Sequence, residues 1–309
     1  MANTKRKSPV AKLLSLAICV VIVLSGALFE HFDMWDKLFV QLELKPSLPV
    51  STQSELLNVH YIDVGQGDCE LIAYKDVFIL IDGGERDNAQ YLSNYLRNLG
   101  CDELDCVIAT HPHADHIGAL PSIIDEFGAK MVIMPELDES NTPTTATYER
   151  LLDSLIKAES EVIAALPNQL YEFSDLLLTI LAPVGQYTNL NNMSVVCRLD
   201  FGESSFLFTG DMEKEVEAEL LRLSRQLLPC DVLKLGHHGS DTSNTLDFVS
   251  AVSPDYAVIS CGSDNKYGHP HAKTIKTLED LEIAYYRTDR HGTVVFSSDG
   301  QKLSVNKER

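Results

Sequence analysis

Six polar motifs in this chain each stand where an apolar, strand-like run ends: "DVGQGD", "LIDGG", "ATHPHADH", "FTGD", "LKLGHHGS" and "ISCGSDNKYGHPH". One polar loop after a strand is ordinary. Six of them require an architecture that gathers strand ends along one edge, and a layered α/β sandwich does that. The runs between the motifs fit it. "LNVHYIDV", "CELIAY" and "VFILI" read as strands, "NAQYLSNYLRNLG" as a helix closed by Gly100, and "DCVIAT" as a buried strand. Further on, "TYERLLDSLIKAE" is helical, "LLLTILA" a strand, and "SVVCRLDF" with "SSFLFTG" a hairpin across "GES". "EKEVEAELLRLSRQ" and "KTIKTLEDL" are helices, "DVLKLG" and "YAVIS" strands, and "GTVVFSS" closes the chain as a strand.

The segment "HPHADH" carries the chemistry. Imidazoles and carboxylates at this density are costly to bury unless a cation sits among them. In an extended segment, His111 and His113 lie on one side and hold one ion. A turn at Ala114 aims Asp115 and His116 at a second.

These motifs, in this order over residues 59 to 271, resemble the metallo-β-lactamase-fold hydrolases, and more closely the hydrolase domain of ComEC-type competence proteins. The resemblance implies a four-layer αββα sandwich, two divalent ions (Zn²⁺ or Mn²⁺) at one edge, and hydrolysis by metal-activated water. It implies His111 and His113 for the first ion, Asp115 and His116 for the second, and Asp211 shared between them. His237 is the expected last ligand of the second ion, with His238 as its alternative. For Asp211 the competing role is capping the acidic helix near 213. For Asp82 the resemblance implies an orienting role behind the ligands, and the competing role is a turn before two glycines. Residues 117 to 210 hold no histidine, whereas many family members have one there. Asn192 and Ser194 in "NNMSVV" match the ComEC-like subgroup instead. The first ion is thus expected to be the weaker, with Mn²⁺ favoured over Zn²⁺.

Asp115 and His269 are the candidate catalytic residues, His269 as proton donor to the leaving oxygen. Ser240, Ser243 and Lys266 are candidate phosphate contacts, turn roles being equally open to the serines. His60, His31 and His291 read as ordinary strand, linker and turn positions, and His271 as a cap for the helix after it.

The N-terminus pairs a basic "TKRKSPVAK" with the uncharged run "LLSLAICVVIVLSGALF". Residues 1–30 are therefore expected to be a signal peptide or signal anchor, 31–55 a linker, and 56–305 the hydrolase domain, anchored outside the membrane or secreted. The formal charge is −20 in all, which argues against clamping duplex DNA through a broad cationic face. The seven cysteines read mainly as small buried hydrophobes; a Cys101–Cys106 pair is left open. The function expected is a metal-dependent phosphodiesterase or nuclease. Its substrate would be a phosphodiester, with single-stranded DNA or a cell-surface polymer as the two readings. Hydrolysis of another ester, a thioester or a lactam is the alternative within the fold, and a non-catalytic surface binding protein the alternative outside it.

Overall fold

The computed structural model describes residues 55–309; the expected leader and nearly all of the expected linker lie outside them. No helix among the described residues is long and apolar enough to cross a membrane. The strands are β1 (Leu57–Tyr61), β2 (Glu70–Tyr74), β3 (Val77–Ile81), β4 (Leu104–Ile108), β5 (Ala129–Met134), β6 (Glu161–Ala164), β7 (Leu170–Phe173), β8 (Leu176–Ala182), β9 (Val196–Phe201), β10 (Ser204–Phe208), β11 (Val232–Lys234), β12 (Tyr256–Ile259), β13 (Ala284–Arg287), β14 (Val294–Ser298) and β15 (Leu303–Lys307). The longer helices are α1 (Ala89–Asn98), α2 (Leu120–Phe127), α3 (Ala146–Ala158), α4 (Lys214–Leu223), α5 (Leu246–Val252) and α6 (Ala272–Asp280).

Two sheets result. One runs β15-β14-β1-β2-β3-β4-β5-β6, the other β13-β12-β11-β10-β9-β8-β7. Side chains alternate across each strand, so one strand serves two apolar layers. Ile79 and Ile81 of β3 enter the core between the sheets, while Phe78 and Leu80 face the helical side. In the second sheet Phe206 and Phe208 point inward and Leu207 outward. Burying a side chain such as Phe206 contributes roughly 1.5–3 kcal/mol. Helix α1 covers the first sheet with Leu92, Tyr95 and Leu96, and α4 covers the second with Val216 and Leu220. These spacings of three and four are what place one apolar stripe on a helix. Thr145 and Thr245 accept from the amides of Tyr148 and Phe248 and so start α3 and α5.

Three sequence expectations are corrected. The strand in "GTVVFSS" is β14, but β15 follows and pairs with it as a hairpin. Helix α4 stops at Leu223, and a 3-10 turn, Arg225–Leu227, takes up the end of the expected helix. Strands β5, β6, β7 and β13 are not among the expected strands; β6, β7 and β13 are four residues each and half exposed, whereas β5 has six. The six described cysteines are buried and free. Cys101 and Cys106 are not joined; their thiols donate to the carbonyls of Glu103 and Val107. His60 is buried on β1 with Nδ1 at 2.7 Å from the Tyr95 hydroxyl.

Strand direction brings the motifs together. β3 and β4 are parallel, as are β10, β11 and β12, and β1 runs with β3 because both are antiparallel to β2. The loops after β1, β3, β4, β10, β11 and β12 are five of the polar motifs plus the histidine cluster, which confirms their convergence on one edge.

Candidate metal centre

Asp211 follows β10 at the turn "TGD". The N-cap of α4 is Glu213, so Asp211 is free of that role. Its Oδ2 lies 3.3 Å from Nε2 of His116, 3.5 Å from that of His238, and 3.8 Å from those of His111 and His237. Asp115 Oδ2 is 3.4 Å from His238 Nε2, and His113 Nδ1 is 3.0 Å from His111 Nε2. Among the described residues, His116 Nε2, His238 Nε2 and Asp211 Oδ1 are buried without a hydrogen-bond partner. Orphaned donors and acceptors converging on one point are what a bound cation satisfies. The donor set therefore fits divalent ions.

The rear nitrogens of these rings are held separately. Asp82 Oδ2 is 2.7 Å from His116 Nδ1 and accepts from the Thr110 hydroxyl at 2.6 Å, while Oδ1 accepts from the Thr110 amide at 2.8 Å. Asp82 has φ +54°, a left-handed conformation that the following two glycines help to accommodate. Ser194, fully buried, is 3.4 Å from His111 Nδ1, and its hydroxyl accepts from the Asp211 amide at 3.0 Å. Asn192 instead bonds the Glu213 amide and the Glu215 carboxylate, fastening the loop to α4. Its neighbour Asn191 is the residue that lines the cavity.

A second carboxylate was missed in the sequence reading. Asp68, from "DVGQGD", places Oδ1 3.1 Å from His238 Nδ1 and Oδ2 2.6 Å from the ammonium of Lys234. Asp68, His116, Asp211 and His238 form one group whose donor atoms lie within 4.8 Å of one another. Since Asp68 faces the Nδ1 edges and Asp211 the Nε2 edges, we assign Asp68 behind the imidazoles rather than to the ion. The motif was visible, but nothing in it distinguished Asp68 from a turn aspartate.

Local backbone explains how the loops fit. Gly67 has φ +142°, and a Cβ there would lie 2.3 Å from the carbonyl oxygen of Asp115. The Asp68 amide donates to that same oxygen at 3.2 Å, stitching "GQGD" to "HADH". His237 and His238 are both left-handed, at φ +51° and +53°. This costs roughly 1–3 kcal/mol per residue and turns both imidazoles toward the centre. His238 is the deeper of the two. His237 is partly open, with Nδ1 3.2 Å from Thr242 Oγ1.

Electrostatics follow from this crowding. Burial opposes charge on His116 and His238, yet Asp211 with Asp82 pushes the first well up, and Asp211 with Asp68 pushes the second to about 10. Burial would also raise Asp211, but His238 and His116 hold it well down. Protons thus do in these rings what a cation does when bound, and metal uptake must displace them.

A cavity of about 400 Å³ opens over the centre, lined by His113, Asp115, Asp211, His237, His238 and His269, with Gln66, Glu85 and Tyr267 at its wall. His269 stacks on Tyr267, ring centroids 5.6 Å apart, and lies 5.4 Å from the His237 ring. Burial, then His238 and His237, push it down to about 4, so it is neutral at pH 7. Ser240 and Ser243 do not reach the cavity: their hydroxyls bond Thr242 and the Met212 carbonyl. Lys266 is exposed, its ammonium 5.1 Å from the Tyr267 ring. His271 stands at the N-cap of α6, but its side chain accepts from the Asp241 amide instead of capping.

Residues 62–263 match the family model of the Metallo-beta-lactamase superfamily. ComE operon protein 3 of Bacillus subtilis is 30% identical over 257 residues, covering 77% of this chain and 32% of that protein. Recombination protein 2 of Haemophilus influenzae is 30% identical over 279 residues, covering 88% of this chain and 31% of that protein. The chain thus spans about a third of the length of these relatives, which are of the ComEC type. Among solved structures, the metallo-beta-lactamase fold protein YhfI from Bacillus subtilis aligns with a TM-score of 0.52 at 15% identity, covering 78% of this chain and all of that one. At this identity the likeness shows the fold alone.

Proposed function

This chain belongs to the metallo-beta-lactamase superfamily, and we propose that it is a metal-dependent phosphodiesterase acting on single-stranded DNA. One observation carries the reading: a single carboxylate oxygen, Asp211 Oδ2, stands within 3.8 Å of four imidazoles at the floor of an open cavity. His111, His113 and Asp211 would hold one divalent ion, and Asp115, His116, His238 and Asp211 the other, Zn²⁺ or Mn²⁺. His237 stands at the wall, within reach of the second. When bound, such a pair lowers the pKa of an attacking water and stabilises charge on the phosphoryl oxygens.

The chain's own residues supply the rest. Asp82 fixes which nitrogen His116 presents, the Ser260 carbonyl does so for His238, and Asp68 stands beside that second contact. Ser194 stands behind His111, so the first ion keeps only three side-chain ligands and is the weaker, Mn²⁺-favouring one. His269 is neutral and donates its N–H to a phosphate or leaving oxygen at the cavity wall. Tyr267 offers an exposed ring on which a base can stack, and kinship with Recombination protein 2 supports a nucleic-acid substrate. Anchoring through residues 1–30, with the body outside the membrane, completes the proposal. It rests on the basic flank and apolar run of the sequence.

The test is metal analysis of the protein followed by turnover of an oligothymidylate, a glycerol phosphodiester and a lactam. We expect bound Mn²⁺ or Zn²⁺, cleavage of the oligonucleotide, and at least a hundredfold loss in His111→Ala and Asp211→Ala. Preference for the glycerol diester would redirect the assignment to a cell-surface polymer. Turnover of the lactam alone, or full activity in both variants, would overturn it.

A further inference from the structure

Lys234 ends β11 and is, among the described residues, the one lysine or arginine that is buried, at 1% exposure. An ammonium in such a place carries a large desolvation penalty and persists only with partners. It has two: Asp68 Oδ2 at 2.6 Å, and the carbonyl of Leu235 at 2.9 Å.

Asp68 in turn sits behind two of the rings. Its oxygens are 3.1 Å from His238 Nδ1 and 4.0 Å from His116 Nδ1, while both Nε2 atoms face Asp211. The carbonyl of Ser260, also 3.1 Å from His238 Nδ1, already favours a proton on that nitrogen. What Asp68 adds is negative charge, which makes Nε2 a stronger donor to a cation. Asp68 Oδ1 has no hydrogen-bond partner of its own, so the Lys234 ammonium at Oδ2 is what holds the carboxylate in this place.

We infer that Lys234 is a positioning residue of the metal centre: its ion pair holds the Asp68 carboxylate in place behind His238, and so sets how tightly the ion on that side is held. The inference rests on reading the centre as a metal site. It predicts a sign. Deleting a cation near a cation site would, by charge alone, tighten metal binding; loss of positioning weakens it.

The experiment measures Mn²⁺ and Zn²⁺ affinity of the whole chain by chelator competition, with folding followed by circular dichroism. Lys234→Met and Asp68→Asn are each expected to weaken the tighter site 10- to 100-fold. The double variant leaves no unpaired charge and guards against a folding defect in the single ones. It is expected to fold and to remain as weak as the single variants, because the pair acts as a unit. Affinity in the double variant within twofold of the original, or tighter, would overturn the inference and reduce the pair to charge balance. A parent chain that takes up neither ion would overturn the metal-site reading and this inference with it.

Discussion

Asp82 Oδ2 and His116 Nδ1 are 2.7 Å apart, and neither side chain has any exposure. The contact decides which nitrogen of His116 faces Asp211, and the same carboxylate holds the Thr110 amide and hydroxyl. The turn "DGG" and the histidine cluster are therefore one mechanical unit.

Asp82→Asn keeps the shape and removes the charge. Metal affinity is expected to fall 10- to 100-fold, with about 1–3 kcal/mol of folding stability lost with the buried bonds. Chelator competition and urea unfolding measure the two. Unchanged affinity would leave Asp82 a turn residue only.

Gly67→Ala places a methyl where the Asp115 carbonyl oxygen already is, at a backbone angle that L-residues avoid. We expect a loss of about 3 kcal/mol and weaker metal binding, since Asp115 must move. A variant as stable as the parent would show that the two loops are not in contact in solution.

Tyr267 is 52% exposed at the cavity wall and stacks on His269. Tyr267→Ala should raise KM for an oligothymidylate roughly tenfold, the scale of one stacked base, and leave turnover of a glycerol diester unchanged. Tyr267→Phe should behave as the parent. Equal effects on both substrates would mean that the ring only supports His269.

His60 lies away from the centre, bonded to the Tyr95 hydroxyl, and burial pushes it down to about 3 from 6.5. Between these values the unfolded chain binds a proton that native His60 refuses. Its contribution is thus fully present above pH 6.5 and is lost as pH falls through the window, at up to about 1.4 kcal/mol per pH unit. In His60→Gln that slope should be missing. Urea unfolding from pH 7 to 4 would show the parent losing its advantage, and a constant difference would refute the assignment.

Much of the centre is local and could be read directly. His111, His113, Asp115 and His116 fall within six positions, and no packing argument accounts for them. The apolar runs before each motif gave most strands, because side-chain alternation is written residue by residue. Short, half-exposed strands such as β6 and β7 escaped, since their pairing depends on neighbours and their pattern is weak. β15 was hidden in the same way.

Other features exist only once the chain is folded. Asp68 lies in the loop between β1 and β2 and Lys234 on β11 of the other sheet, and neither residue's surroundings in the sequence name the other. Which of two adjacent histidines goes deeper depends on left-handed backbone at both, a strain that the packed loops impose. Asn191 reaches the cavity and Asn192 does not, because a 3-10 turn sends consecutive side chains in different directions. The sequence by itself determined the donor types, the strands that carry them and the edge where they meet. Tertiary structure alone decided which carboxylate stands behind which imidazole, because in a dry interior that choice depends on distances of a few ångströms between residues remote along the chain.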